Sequence, residues 1–107
     1  MNVEELAEEL KMVAKPDDAV AMKAYMKNKF EFLGVKTPIR RKIVKAFFKQ
    51  QTDSGIEWDF IDEAWEHPYR ELQYAALDYL ESRKKLLTPS DLPHLKKLAQ
   101  TKSRWDT

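Results

Sequence analysis

A single glycine followed closely by a Thr-Pro pair constrains this chain more than any other feature. In the stretch from Tyr25 to Phe48, YMKNKFEFLGVKTPIRRKIVKAFF, Gly34 is free to take the left-handed conformation that stops a helix. Thr37 then reads as an N-cap and Pro38 as the first helical residue. The 107 residues contain only 2 glycines, too few for a sheet with many tight turns. Prolines punctuate the rest of the chain at Pro16, Pro68 and Pro89. The expectation is an all-α fold.

Apolar spacing fills in the helices. A first helix after Asn2 runs to about Lys15 with Val3, Leu6, Leu10 and Val13 on one face. A second follows Asp17 or Asp18, continues to about Phe32 and presents Val20, Ala24 and Tyr25, with Met22 and Met26 nearby. In the third, Ile39, Ile43 and Phe47 form one stripe and Val44 and Phe48 the next, while Arg41, Lys45 and Lys49 make a basic ridge beside them. A fourth from about Glu57 to Glu66 places Trp58, Ile61 and Trp65 together. The fifth, Pro68 to about Arg83, buries Leu72, Ala76, Tyr79 and Leu80. Thr88-Pro89, with Ser90 and Asp91 as rival caps, opens a sixth through Leu92, Leu95 and Leu98, and Ser103 caps a helix that begins RWDT.

Helix starts at Pro38, at Pro68 or Tyr69, and at Arg104 lie roughly 30 to 35 residues apart, the spacing of two-helix solenoid repeats. Stacked antiparallel helix pairs are therefore expected in preference to a closed bundle. The length fits one domain, residues 1–107. Solenoids of this kind need capping repeats, and this chain stops as a helix starts, so a truncated N-terminal half of a longer protein is expected.

Net charge is +1, which averages over strong blocks. Residues 1–22 carry 2 basic and 6 acidic side chains, residues 23–49 carry 9 and 1, residues 50–82 carry 1 and 9, and residues 83–107 carry 7 and 2. Two readings follow: helices of opposite charge complement each other, or a basic face for a polyanion coexists with an acidic one. With no cysteine there is no disulfide framework or thiolate chemistry, and a reducing cytoplasmic compartment is the expectation. The acidic, amphipathic start NVEELAEELKMV is no signal peptide, and no apolar run reaches transmembrane length.

Catalytic signatures are missing: no Gly-rich phosphate loop, no G-x-S-x-G elbow, no H-E-x-x-H. His67 and His94 stand beside prolines far apart in sequence, so no metal site is expected. Asp59, Asp62, Glu63 and Glu66 read as a solvated acidic face, and Trp58 and Trp65 as core. Trp105, flanked by Lys102, Ser103 and Arg104, sits where positive side chains and helix-start amides can meet a phosphate, or else packs in a core.

MKAYMKNKFEFLGVKTPIRRKI, EAWEHPYRELQYAALDYL and TKSRWDT, in this order, closely resemble the N-terminal part of the AlkD-type bacterial DNA alkylation repair glycosylases. The resemblance implies HEAT-like repeats in an α-α superhelix, here a partial solenoid, whose basic concave face holds duplex DNA containing alkylated purines. It implies hydrolysis of the N-glycosidic bond of cationic N-alkylated purines, with no cofactor. It further implies that Tyr25 and Trp105 line the cleft and that Arg41, Lys45, Lys49, Lys102 and Arg104 contact DNA. Where the family has Trp-Trp-Asp, this chain has Arg104-Trp105-Asp106. The family's catalytic aspartate would fall beyond Thr107, so no catalytic residue is assigned and the chain alone is expected to be inactive. The alternative expectation is a helical protein-interaction module, self-associating as a homodimer through the unfinished C-terminal helix.

Overall fold

The computed structural model describes residues 2–27, 30–50 and 55–101. Six α-helices account for most of them: α1 (Val3–Met12), α2 (Pro16–Tyr25), α3 (Thr37–Lys49), α4 (Trp58–Trp65), α5 (Arg70–Ser82) and α6 (Leu92–Thr101). Two single 3-10 turns, Lys84–Leu86 and Pro89–Asp91, join α5 to α6. Among the described residues there is no strand, only one isolated parallel bridge between Glu31 and Tyr69.

Helix α1 begins as its sequence dictates. Asn2 Oδ1 accepts the Glu4 N–H at 2.8 Å, and Glu4 and Glu5 complement the positive end of the helix dipole. Val3, Leu6, Ala7 and Leu10 are fully buried, but the helix ends at Met12 and leaves Val13 at the cap, 37% exposed. Helix α1 packs on α3 and on α4, and α5 packs on the same two. The result is two helix pairs, α1 with α3 and α4 with α5, stacked one on the other as a helical repeat. Helix α6 adds a third layer against α4, where the buried Trp65 donates its Nε1–H to the Leu98 carbonyl at 2.9 Å. The shortest dimension, 20 Å, is two helix diameters.

An aromatic cluster joins the pairs. Phe48 meets the Tyr79 ring at 4.8 Å and the Phe60 ring at 5.9 Å, both edge to face, an arrangement favoured by the ring quadrupoles. The Tyr79 hydroxyl satisfies the chain entering α4, accepting the Glu57 N–H at 3.0 Å and donating to the Gly55 carbonyl at 3.3 Å.

Helix α2 differs from the sequence expectation at both ends and on its face. It starts at Pro16 itself, because a proline at the first helical position gives up an N–H that would have no partner. It ends at Tyr25, since Lys27 takes the left-handed conformation (φ 58°) and donates its N–H to the Ala24 carbonyl at 3.0 Å. None of its residues is buried; Val20 is 71% exposed. Gly34 therefore stops no helix. It lies in the loop after α2 at φ 97°, where its Cα passes so close to the start of α2 that a Cβ would sit 2.1 Å from the Lys15 carbonyl oxygen. Gly34 also accepts the Lys15 N–H at 3.0 Å.

Candidate functional site

The stacking of α3 on α5 leaves a trough between them, made of two adjoining hollows that share Arg41 and Asp78. The first, about 590 Å³, is closed on one side by the end of α2, with Met22, Tyr25 and Met26 facing Phe32, Arg40 and Tyr74. The second, about 500 Å³, has Val44 and Phe48 as apolar lining and Arg41, Lys45, Lys49 and Arg83 as its cations.

Charge in this trough is unbalanced in a specific way. Among the described residues two acids line it, Asp78 and Glu81. Asp78 receives the Arg40 Nε–H at 3.1 Å, and Glu81 receives Lys84 Nζ at 2.9 Å. Arg40 is 5% exposed and also lies 4.9 Å over the Tyr74 ring, so it is locked into the wall. Arg41, Lys45 and Lys49 are exposed and make no ion pair with any described residue. Arg83 lies 5.5 Å over the Tyr79 ring, and its buried Nε has no hydrogen-bond partner among the described residues. A polyanion entering the trough would meet four cations, while Asp78 and Glu81 are already engaged by other residues.

The loop that leads into α3 is fixed by the first turn of α5. Glu71 is fully buried, and its carboxylate accepts three successive backbone N–H groups: Leu33 at 2.9 Å, Gly34 at 2.9 Å and Val35 at 3.1 Å. The preceding residue acts on the same loop. The Arg70 N–H donates to the Glu31 carbonyl at 2.8 Å, and its guanidinium lies 3.8 Å over the Phe30 ring.

Of the residues expected to form the site, Tyr25 and Arg41 share the first hollow, and Arg41, Lys45 and Lys49 share the second. Tyr25 is 86% exposed, so it is not core packing. Lys102, Arg104 and Trp105 lie outside the described residues. Sequence reasoning missed Arg40, Tyr74, Arg83 and Glu71. Arg40 adjoins the basic ridge in sequence but is turned about 100° from Arg41 and faces α5. Glu71 carries no sequence signal beyond lying at a helix start between Arg70 and Leu72.

The two histidines stay apart. His94 Nε2 is 2.7 Å from Asp62 Oδ1 and its ring stacks on Trp58 at 4.2 Å, which ties α6 to α4. His67 lies 3.6 Å from Glu4, and burial pushes its pKa below the ordinary value of 6.5 despite that carboxylate. Asp59, Glu63 and Glu66 are exposed. Among the described residues no group of three or more His, Cys, Asp or Glu is placed to hold a metal ion, and no helix is long and apolar enough to cross a membrane.

No curated protein matches this chain significantly. A family model described as DNA alkylation repair enzyme matches residues 6–107, a span that takes in the trough, the loop and all of the helices from the first turns of α1 onward. On that match, the chain belongs to the DNA alkylation repair enzyme family.

Proposed function

We propose that this chain serves the repair of alkylated DNA by holding duplex DNA in the trough between α3 and α5. The reaction it serves is hydrolysis of the N-glycosidic bond of cationic N-alkylated purines, on a HEAT-like scaffold. The observation that carries the reading is the set of cations without ion-pair partners among the described residues, Arg41, Lys45, Lys49 and Arg83, beside acids that other residues already neutralise. Arg41, Lys45 and Lys49 recur every four residues, a row about 12 Å long at 1.5 Å per residue. Backbone phosphates advance about 3.4 Å along the axis per nucleotide, so such a row spans three or four of them.

Tyr25 gives the trough an exposed aromatic face at one end. An alkylated purine leaves as a good leaving group, and positive charge then develops on the deoxyribose, which the negative face of an aromatic ring favours. Among the described residues the trough offers no uncommitted carboxylate to position water, since Asp78 and Glu81 are both paired. It is accordingly a holding surface, and the residues in it bind.

The test is anisotropy of a labelled duplex, with and without N-methylated purines, together with detection of released base. Both duplexes should bind at low salt, with affinities within a few-fold, and base release should stay at the uncatalysed rate. Failure to bind either duplex overturns the reading; rapid base release overturns the assignment of the trough as a holding surface only.

A further inference from the structure

We infer that Glu71 is a positioning residue for DNA engagement: from the core it sets where Tyr25 stands relative to the basic ridge of α3. The inference rests on the reading of the trough as a DNA-holding surface.

Helix α2, which carries Tyr25, buries none of its own residues. Among the described residues its ion pairs to the rest of the protein, Lys23 with Glu31 at 2.8 Å and Lys36 with Asp18 at 4.0 Å, are largely exposed, and pairs of that kind hold little. What fixes the helix is the loop beside it. Gly34 accepts the Lys15 N–H and passes so close to Lys15 and Ala19 that no side chain fits between. That loop is in turn seated on Glu71, through the N–H groups of Leu33, Gly34 and Val35. One chain of contacts thus runs from Glu71 through Gly34 to α2 and Tyr25.

The buried residues around position 71 are of both kinds, Arg70 and Gln73 beside Leu72 and Ala75, so it is the set of partners of Glu71 that marks its role. A fully buried carboxylate persists only where several donors offset its desolvation, and here three consecutive backbone amides do so. Glu71 Oε1 serves Leu33, while Oε2 serves both Gly34 and Val35. Glutamine keeps the shape but has one acceptor oxygen. Either orientation of its amide sets an NH₂ against one side of the loop. The ridge of α3 does not depend on this seat, because Val44 and Phe47 anchor it directly in the core.

The experiment is a double-mutant cycle on duplex binding with the 107-residue chain: wild type, Y25A, E71Q and Y25A/E71Q, beside K45A/K49A in both backgrounds. In the wild-type background Y25A should weaken binding about three- to fivefold, as an exposed aromatic contact with cationic character carries. In the E71Q background that effect should fall below about 1.5-fold, while K45A/K49A weakens binding by the same factor in both. Rescue of the Tyr25 effect by Glu71→Asp, which restores the carboxylate, is expected in part. If E71Q lacks the wild-type helical spectrum, Glu71→Asp carries the same cycle and a reduced Tyr25 effect is expected. A Tyr25 effect equal in both backgrounds, or no Tyr25 effect in the wild type, overturns the positioning role and leaves the DNA reading standing. Absence of duplex binding by the wild-type chain overturns both.

Discussion

Replacing Gly34 by alanine separates two roles for this residue by magnitude. A glycine that merely ends a helix pays only the left-handed backbone penalty when substituted, about 1 kcal/mol. Here the φ of 97° lies in a region costing an alanine about 1–3 kcal/mol. The new Cβ would also sit 2.1 Å from the Lys15 oxygen and 2.9 Å from the Ala19 nitrogen, backbone atoms that cannot swing aside as a side chain would. Forcing that contact open adds about 1–3 kcal/mol, as overpacking does elsewhere. Together G34A should cost about 2–6 kcal/mol, which for a domain of this size lowers Tm by at least about 8 °C. Urea titration followed by helical circular dichroism measures it, with an unchanged slope showing that the denatured state is not the cause. Gly55 is the internal control, since nothing lies within 4 Å of a Cβ placed there. G55A should change stability by less than about 0.5 kcal/mol. A G34A cost within about 1 kcal/mol of the wild type refutes the close approach of loop and α2.

Two further outcomes follow from the charges. Removing Asp78 leaves the buried Arg40 guanidinium without its carboxylate, so D78A should cost about 2–3 kcal/mol in urea titration, whereas E81A, at an exposed pair, should cost less than about 0.5 kcal/mol. His67 is held neutral by burial, with its pKa below the unfolded value of 6.5. The unfolded chain therefore takes up a proton first as pH falls, and stability present above about pH 6.5 is lost as the pH drops toward the folded pKa. His67→Gln should flatten the stability profile between about pH 7 and 5, read by thermal melts; an unchanged slope contradicts it.

How much of this was legible beforehand differs from element to element for physical reasons. Helix α3 could be read to within one residue at its start: Thr37, expected as the N-cap, is its first helical residue with Lys36 as the cap, and of the expected core stripes Val44 and Phe47 are buried while Ile39 is 39% exposed. Its basic ridge was equally plain, since exposed cations four apart need no partner to be recognised. Helix α2 could not be read in this way. With no buried face its apolar residues carry no periodic signal, and its end is set by a left-handed lysine, a residue type that seldom marks a cap.

Burial of charge was invisible for a different reason. Arg40 and Glu71 look like surface residues until the partners that admit them to the interior are known, and Asp78 and the loop amides lie 36 to 38 positions away. Arg40 with Asp78 is complementation between helices, while Arg41, Lys45 and Lys49 remain unneutralised by any described residue.

The most direct measurement is duplex affinity across a salt series for the wild-type chain and for K45A/K49A. The expected result is a linear fall of log affinity with log salt, whose slope becomes shallower by about 1.8 in the double variant, as loss of two phosphate contacts requires. A wild-type chain that does not bind at low salt, or a variant with an unchanged slope, contradicts the assignment of the α3–α5 trough to DNA.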